Sequence, residues 1–193
     1  MNAFAHRLSV ILRAVSLTVA IGTATLALQA TVTPTVAHAS DYKNLTWAEL
    51  VPKDWDPMKL FKDRNANAVK EGSEAEMDMM REMRAIWDDA PTRKELDGTK
   101  VRIPGYVVPL DSVQGGKISQ FLLVPYFGAC VYSPPPPANQ IVYITMKAPA
   151  VWKPMDTVWV NGTLTSKRQK SDMGVTGYAI AADVVEQYKA PGK

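Results

Sequence analysis

Along this chain the spacing of apolar positions changes twice, and each change marks a new kind of element. From Asp41 to about Gly72, the apolar residues Trp47, Leu50, Val51, Trp55, Met58, Leu60 and Phe61 are interrupted by Pro52, Pro57 and polar residues. Neither a strand period nor a long helix period emerges, so the segment reads as an arm laid over a core. Ser73-Glu74-Ala75-Glu76 is a capping box, in which the serine hydroxyl and the Glu76 carboxylate each satisfy an otherwise orphan backbone donor. Ala75, Met79, Met83, Ile86, Trp87 and Ala90 then recur at spacings of three and four, which predicts an amphipathic helix from Ser73 to about Asp89, stopped by Pro91.

After Asp97-Gly98 the period falls to two. Val101, Ile103, Gly105 and Val107 alternate with Lys100, Arg102, Pro104 and Tyr106, and a turn at Gly115-Gly116 leads into the run Ile118 to Val124. That run is apolar on both faces around Phe121 to Val124, which predicts a strand buried on both sides. Ile141 to Met146 is a third strand, the alternation of Val158, Val160, Gly162 and Leu164 a fourth, and that of Thr176, Tyr178, Ile180, Ala182 and Val184 a fifth. The first and fourth strands echo one another, each with a glycine at its third inward position. A glycine there permits the sharp coil or close backbone approach that lets a small sheet close on itself. The fold expected is mainly β: a five-stranded OB-like Greek-key barrel over residues 97–193, preceded by an arm and one helix over 40–96. A flatter sandwich is the alternative.

Composition narrows the chemistry. The chain has 193 residues, 47% hydrophobic and 21% charged, an ordinary globular balance. Residues 1–39 read as a cleavable secretory signal: Arg7 and Arg13, an apolar stretch from Ala14 to Ala30, then Ala37-His38-Ala39 before Ser40. Export to the periplasm is the expectation, without a lipid anchor, since no cysteine stands at the leader's end. Loss of Arg7 and Arg13 with the leader takes the 22 basic residues to 20 against 19 acidic, a net charge of +1. A balance so close to neutral gives no reason to expect a nucleic-acid ligand. Both histidines, His6 and His38, leave with the leader as well. A mature chain without imidazole has no Ser-His-Asp or Cys-His machinery and no His-containing zinc site. The expectation is therefore a binding protein, not an enzyme, with no cofactor.

The most unusual segment is Tyr126-Phe127-Gly128-Ala129-Cys130-Val131-Tyr132-Ser133, followed by Pro134, Pro135, Pro136 and Pro137 and then by Ala138-Asn139-Gln140. Four consecutive prolines impose an extended stretch without backbone donors, so the segment is a loop between the second and third strands. A stiff loop loses little entropy on binding. Tyr126, Phe127, Cys130, Tyr132, Pro134, Pro135, Pro136, Pro137, Asn139 and Gln140 are accordingly the candidate partner-binding residues. The competing reading is a rigid connector that caps one end of the barrel. Cys130 itself reads as a buried apolar residue, as a soft-metal ligand or, least well, as a nucleophile without a partner base. Met77, Met79, Met80 and Met83 offer thioethers to Cu(I), against the alternative of core packing for Met79 and Met83. Lys167, Arg168 and Lys170 beside Asp172 form either an anion or partner contact or a solvated turn. No Gly-rich phosphate loop and no CxxC occurs.

These residues resemble a family of bacterial secreted proteins known as domain of unknown function number 3299. The resemblance rests on Trp47 to Pro52, on Leu96-Asp97-Gly98 leading into Val101 to Leu110, and above all on Phe121 to Gln140, with its FLLVPYFGAC, PPPP and NQ segments. In that family a histidine follows the cysteine two places later; here that place is Tyr132, so a cysteine–histidine site does not carry over. The resemblance implies a periplasmic accessory of ABC-type transport, in some cases of metal supply, whose partner is a periplasmic or membrane transport protein. The alternative function is a soft-metal (Cu/Zn) carrier using Cys130 and methionines.

Overall fold

A computed structural model describes residues 41–57, 59, 70–111, 115–129 and 136–189. The leader expected over residues 1–39 lies outside the described residues.

Five long strands form a closed barrel. In chain order they are β2 (Lys100–Pro109), β3 (Ile118–Val124), β4 (Val142–Ala150), β5 (Thr157–Thr165) and β8 (Tyr178–Gln187), after a two-residue β1 (Lys43–Asn44). Around the barrel the order is β2–β3–β4–β8–β5, closed by the pairing of Lys100–Tyr106 with Thr157–Thr163. The β4–β8 contact is parallel and the other four are antiparallel.

The two echoed glycines stand where the sheet turns in on itself. β2 leaves β5 and joins β3 at Tyr106, and a Cβ on the preceding Gly105 would lie 2.7 Å from Leu123 Cγ and 2.8 Å from the Val124 carbonyl oxygen. Gly162 adjoins a register shift between β5 and β8, and a Cβ there would lie 2.6 Å from Ile180 Cγ2 and 2.9 Å from Ala182 Cα. Only glycine fits these approaches without moving backbone. The inward side chains fill the barrel: Val101, Ile103 and Val107 from β2, Phe121 and Leu123 from β3, Ile144 from β4, Val158, Val160 and Leu164 from β5, and Tyr178 and Ile180 from β8.

The arm is part of this core. β1 runs parallel to β2 at Val101 and Arg102, the Leu45 amide donates to the Arg102 carbonyl (2.9 Å), and Trp47 Nε1 donates to the Pro104 carbonyl (2.7 Å). Leu45 and Leu50 join the barrel cluster. Glu49 accepts from the Thr46 amide at 2.8 Å, and that bond holds its carboxyl below the usual carboxylate range. The buried Tyr178 hydroxyl donates to the Leu50 carbonyl (2.7 Å) and accepts from the Arg93 amide (2.6 Å), so one side chain ties arm, post-helix segment and barrel together; burial pushes its pKa up.

Three expectations are corrected. The fifth strand begins at Tyr178 instead of Thr176, because Gly177 breaks away to donate its amide to the Ala138 carbonyl at 2.6 Å. Thr176 belongs to a small hairpin of β6 (Gln169–Ser171) and β7 (Gly174–Thr176), where a plain turn was one of the readings. The helix, α1 (Glu74–Asp88), is capped as foreseen by Ser73, whose hydroxyl accepts from the Glu76 amide at 3.2 Å, while Glu76 accepts from Gly72 instead of Ser73. Its apolar face, however, packs only loosely: no α1 residue is buried, and full burial begins at Ala90 just beyond the helix.

Candidate functional site

The two described ends of the connection from β3 to β4, residues 125–129 and 136–141, each send an apolar residue onto the outer face of the barrel. The cause lies in β3, whose run Phe121 to Val124 is fully buried on both sides. Phe121 and Leu123 point into the barrel, whereas Leu122 and Val124 belong to a second cluster with Val108, Ala129 and Ile141. Apolar side chains on an outer barrel face need a cover, and the connection supplies it through Ala129 and Ile141. Gly128 takes a left-handed backbone (φ +79°) and the Ala129 amide returns to the Tyr126 carbonyl at 3.3 Å, so the chain turns sharply and buries Ala129. That turn leaves Tyr126 (48%) and Phe127 (66%) exposed at its tip.

The tip rests on a platform. The Phe127 ring meets Tyr106 edge to face, with centroids 6.0 Å apart at 84°. Tyr106, Leu110, Tyr143 and Met155, all half-buried, pack around the outer cluster. Tyr143 donates to Gln120, and the amides of Ser119 (3.0 Å) and Gln120 (3.1 Å) donate to Asp111. Burial works against the ionised form of Asp111, yet the bonds from the Ser119 hydroxyl and from these amides win and hold its carboxyl below the usual range.

The exit of the loop is structural. Pro136, Ala138 and Asn139 are buried and Pro137 is half-buried. Asn139 Nδ2 donates to the Pro91 carbonyl (3.0 Å) and Gln140 Nε2 to the Trp47 carbonyl (3.0 Å), fastening the loop to the post-helix segment and to the arm. Of the ten candidate residues, Tyr126 and Phe127 therefore share an exposed tip, while Pro136, Pro137, Asn139 and Gln140 serve the connector. Cys130, Tyr132, Pro134 and Pro135 lie outside the described residues.

The other candidates lie on α1 and at the start of the β6–β7 hairpin. Met77 and Met80 are exposed on α1, while Met79 and Met83 are half-buried on another side. Among the described residues no group of three or more His, Cys, Asp or Glu side chains could hold a metal ion. Arg168 is committed to the end of the helix, donating to the Ala90 carbonyl (3.2 Å) and pairing with Asp89 (3.3 Å). Among the described residues no helix is long and apolar enough to cross a membrane.

Sequence reasoning missed Tyr106 and Met155 as parts of the platform. Tyr106 carried a usable signal, since the period-two alternation of β2 places it outward. Met155 carried none in the apolar pattern; its position depends on a turn.

The family model for DUF3299, a protein of unknown function, matches residues 47–187. Among solved structures, the crystal structure of a DUF3299 family protein from Pseudomonas aeruginosa PAO1 is similar, with 32% sequence identity and a TM-score of 0.61. The match covers 78% of this chain and 99% of that one. No curated protein matches.

Proposed function

The chain belongs to the DUF3299 family, and from that premise we propose that it is an exported, non-enzymatic binding module that engages a partner protein through the Tyr126–Phe127 tip. The observation that carries the reading is the pair of adjacent aromatic side chains held out at 48% and 66% exposure, next to a half-buried Pro125 and a buried Gly128 and Ala129. Tyr and Phe supply large contact area with only two side-chain torsions each, so little entropy is lost when they are covered. The anchoring of Ala129 beneath them and of Asn139 and Gln140 at the loop exit supports a preformed presentation.

The OB-like reading of the barrel belongs to the same proposal. In barrels of that kind the outer face of the second and third strands binds the ligand. Here Ala129 and Ile141, from the two described ends of the connection, pack on the outward side chains Leu122 and Val124 of β3, which in this proposal moves recognition outward onto the Tyr126–Phe127 tip. A periplasmic or membrane transport component is the partner class proposed, resting on the association implied for the family.

The test is photo-crosslinking in the producing cell from an unnatural residue placed at 127, with position 77 on exposed α1 as control. One defined polypeptide is expected to crosslink from 127 and not from 77. Tyr126→Ala combined with Phe127→Ala should weaken binding to that polypeptide by roughly thirtyfold, as removal of an aromatic hot spot of about 2 kcal/mol does. No specific adduct from 127, or binding unchanged in the double variant, overturns the reading.

A further inference from the structure

Met155 is the sole non-glycine residue at positive φ among the described residues, at +67°. It sits in the turn Lys153-Pro154-Met155-Asp156, which is closed by the Asp156 amide on the Lys153 carbonyl (3.1 Å) and by the Lys153 amide on Asp156 Oδ2 (2.8 Å). Proline followed by a left-handed residue is the pattern of a type II turn, whose third position ordinarily takes glycine. The turn is also fastened to β2: the Met155 amide donates to the Val107 carbonyl (2.8 Å) and the Val107 amide to the Asp156 carbonyl (3.0 Å). The backbone is thus held in a conformation that an unbranched side chain such as methionine adopts only with strain.

The side chain has a use that glycine would not serve. Half-buried, it packs against the outer cluster that contains Ala129, whose amide closes the turn on the Tyr126 carbonyl at the exposed tip. We infer that Met155 is a positioning residue for the Tyr126–Phe127 tip, its thioether filling the space under the loop turn so that the two aromatic rings are presented in one fixed arrangement. A flexible thioether suits an irregular gap beside aromatic rings. The inference rests on the tip being the docking element and adds the residue that sets its geometry.

Met155→Gly separates the two roles of the residue, because it relieves the backbone while deleting the prop. The melting temperature of the full chain should move by no more than about 3 °C, since strain relief offsets lost packing. Hydrogen exchange of the Ala129 amide should accelerate about tenfold or more relative to amides of β5 and β8. The edge-on ring-current shift between Tyr106 and Phe127 should collapse. Met155→Leu, which keeps the volume, should restore both signals. Met155→Asn, which tolerates left-handed backbone but cannot fill the gap, should behave as the glycine variant does and serves as the second probe if that one folds poorly. Ala129 exchange and the ring-current shift unchanged in folded Gly or Asn variants overturn the inference. A tip loosened in these variants while crosslinking from 127 never occurs would uphold the positioning role and sink the docking reading; an unaltered tip with specific crosslinking would do the reverse.

Discussion

At the scale of single residues, the fold depends on polar groups that find partners at the edges of apolar clusters. Asp111 illustrates this at the rim of the loop platform, accepting from two successive backbone amides and from the Ser119 hydroxyl, and so holding the end of β2 against the start of β3. Its carboxyl is held below the ordinary range in the folded state, so the folded protein favours the ionised form more than the unfolded chain does. The stability it contributes is then fully present above the unfolded value of about 3.9 and is lost as pH falls through the lower folded value. Asp111→Asn should be less stable than the parent above about pH 4, with the gap narrowing steadily as pH is lowered further. Urea unfolding of both proteins at a series of pH values measures it; a gap of equal size at every pH would show that Asp111 acts by packing alone. Asn139 shows the opposite lesson. Following four prolines it reads as a loop residue and a candidate for partner binding, yet it is buried with its amide on the Pro91 carbonyl, and nothing local in the sequence announces a partner 48 positions away.

At the scale of elements, local rules succeed where a period and a cap agree, and fail where the fold imposes a neighbour. The capping box placed α1 to within a residue, and alternation in three strands together with apolar runs in the other two placed the five long strands with errors only at their ends. The doubly apolar run of β3 gave notice of two buried faces. It could not say that the second face would be covered by the loop leaving that same strand, because a cover is chosen by three-dimensional reach. β1 escaped notice for a related reason: two residues are too few to show a period, and their pairing with β2 is parallel and distant in sequence. The hydrophobic stripe on α1 was legible, but its depth of burial was not. With no buried residue, α1 depends on its own capping and on ion pairs such as Arg84 with Asp88 at 2.8 Å, so it should open locally without the barrel. Ser73→Ala removes about 1 kcal/mol of cap stabilisation and should speed amide exchange across α1 roughly fivefold, while exchange in β2, β5 and β8 stays unchanged. Equal acceleration in the barrel would mean that α1 and barrel open as one unit.

At the scale of the whole molecule, the arm decides what counts as the domain. A barrel closed by glycine approaches at Gly105 and Gly162 has little interior to spare, and its cluster is completed by Leu45 and Leu50 from a segment that sequence alone places outside the β region. The same segment donates Trp47 Nε1 to β2, accepts Gln140 from the end of the β3–β4 connection and accepts the Tyr178 hydroxyl from β8. Arm, loop exit and barrel are thereby joined through polar groups that are satisfied only when all three are in place, and cooperativity follows from that mutual dependence. Leu50→Ala, at a fully buried site, should cost about 3 kcal/mol and lower the single melting transition by roughly 6–12 °C, with tryptophan fluorescence and far-ultraviolet circular dichroism falling together. If the arm instead peeled away first, fluorescence would report an early transition while the strand signal kept its original midpoint. Because Gln140 donates to the Trp47 carbonyl of this arm, the single-transition outcome also implies that the end of the β3–β4 connection stays fastened up to the temperature at which the barrel itself is lost.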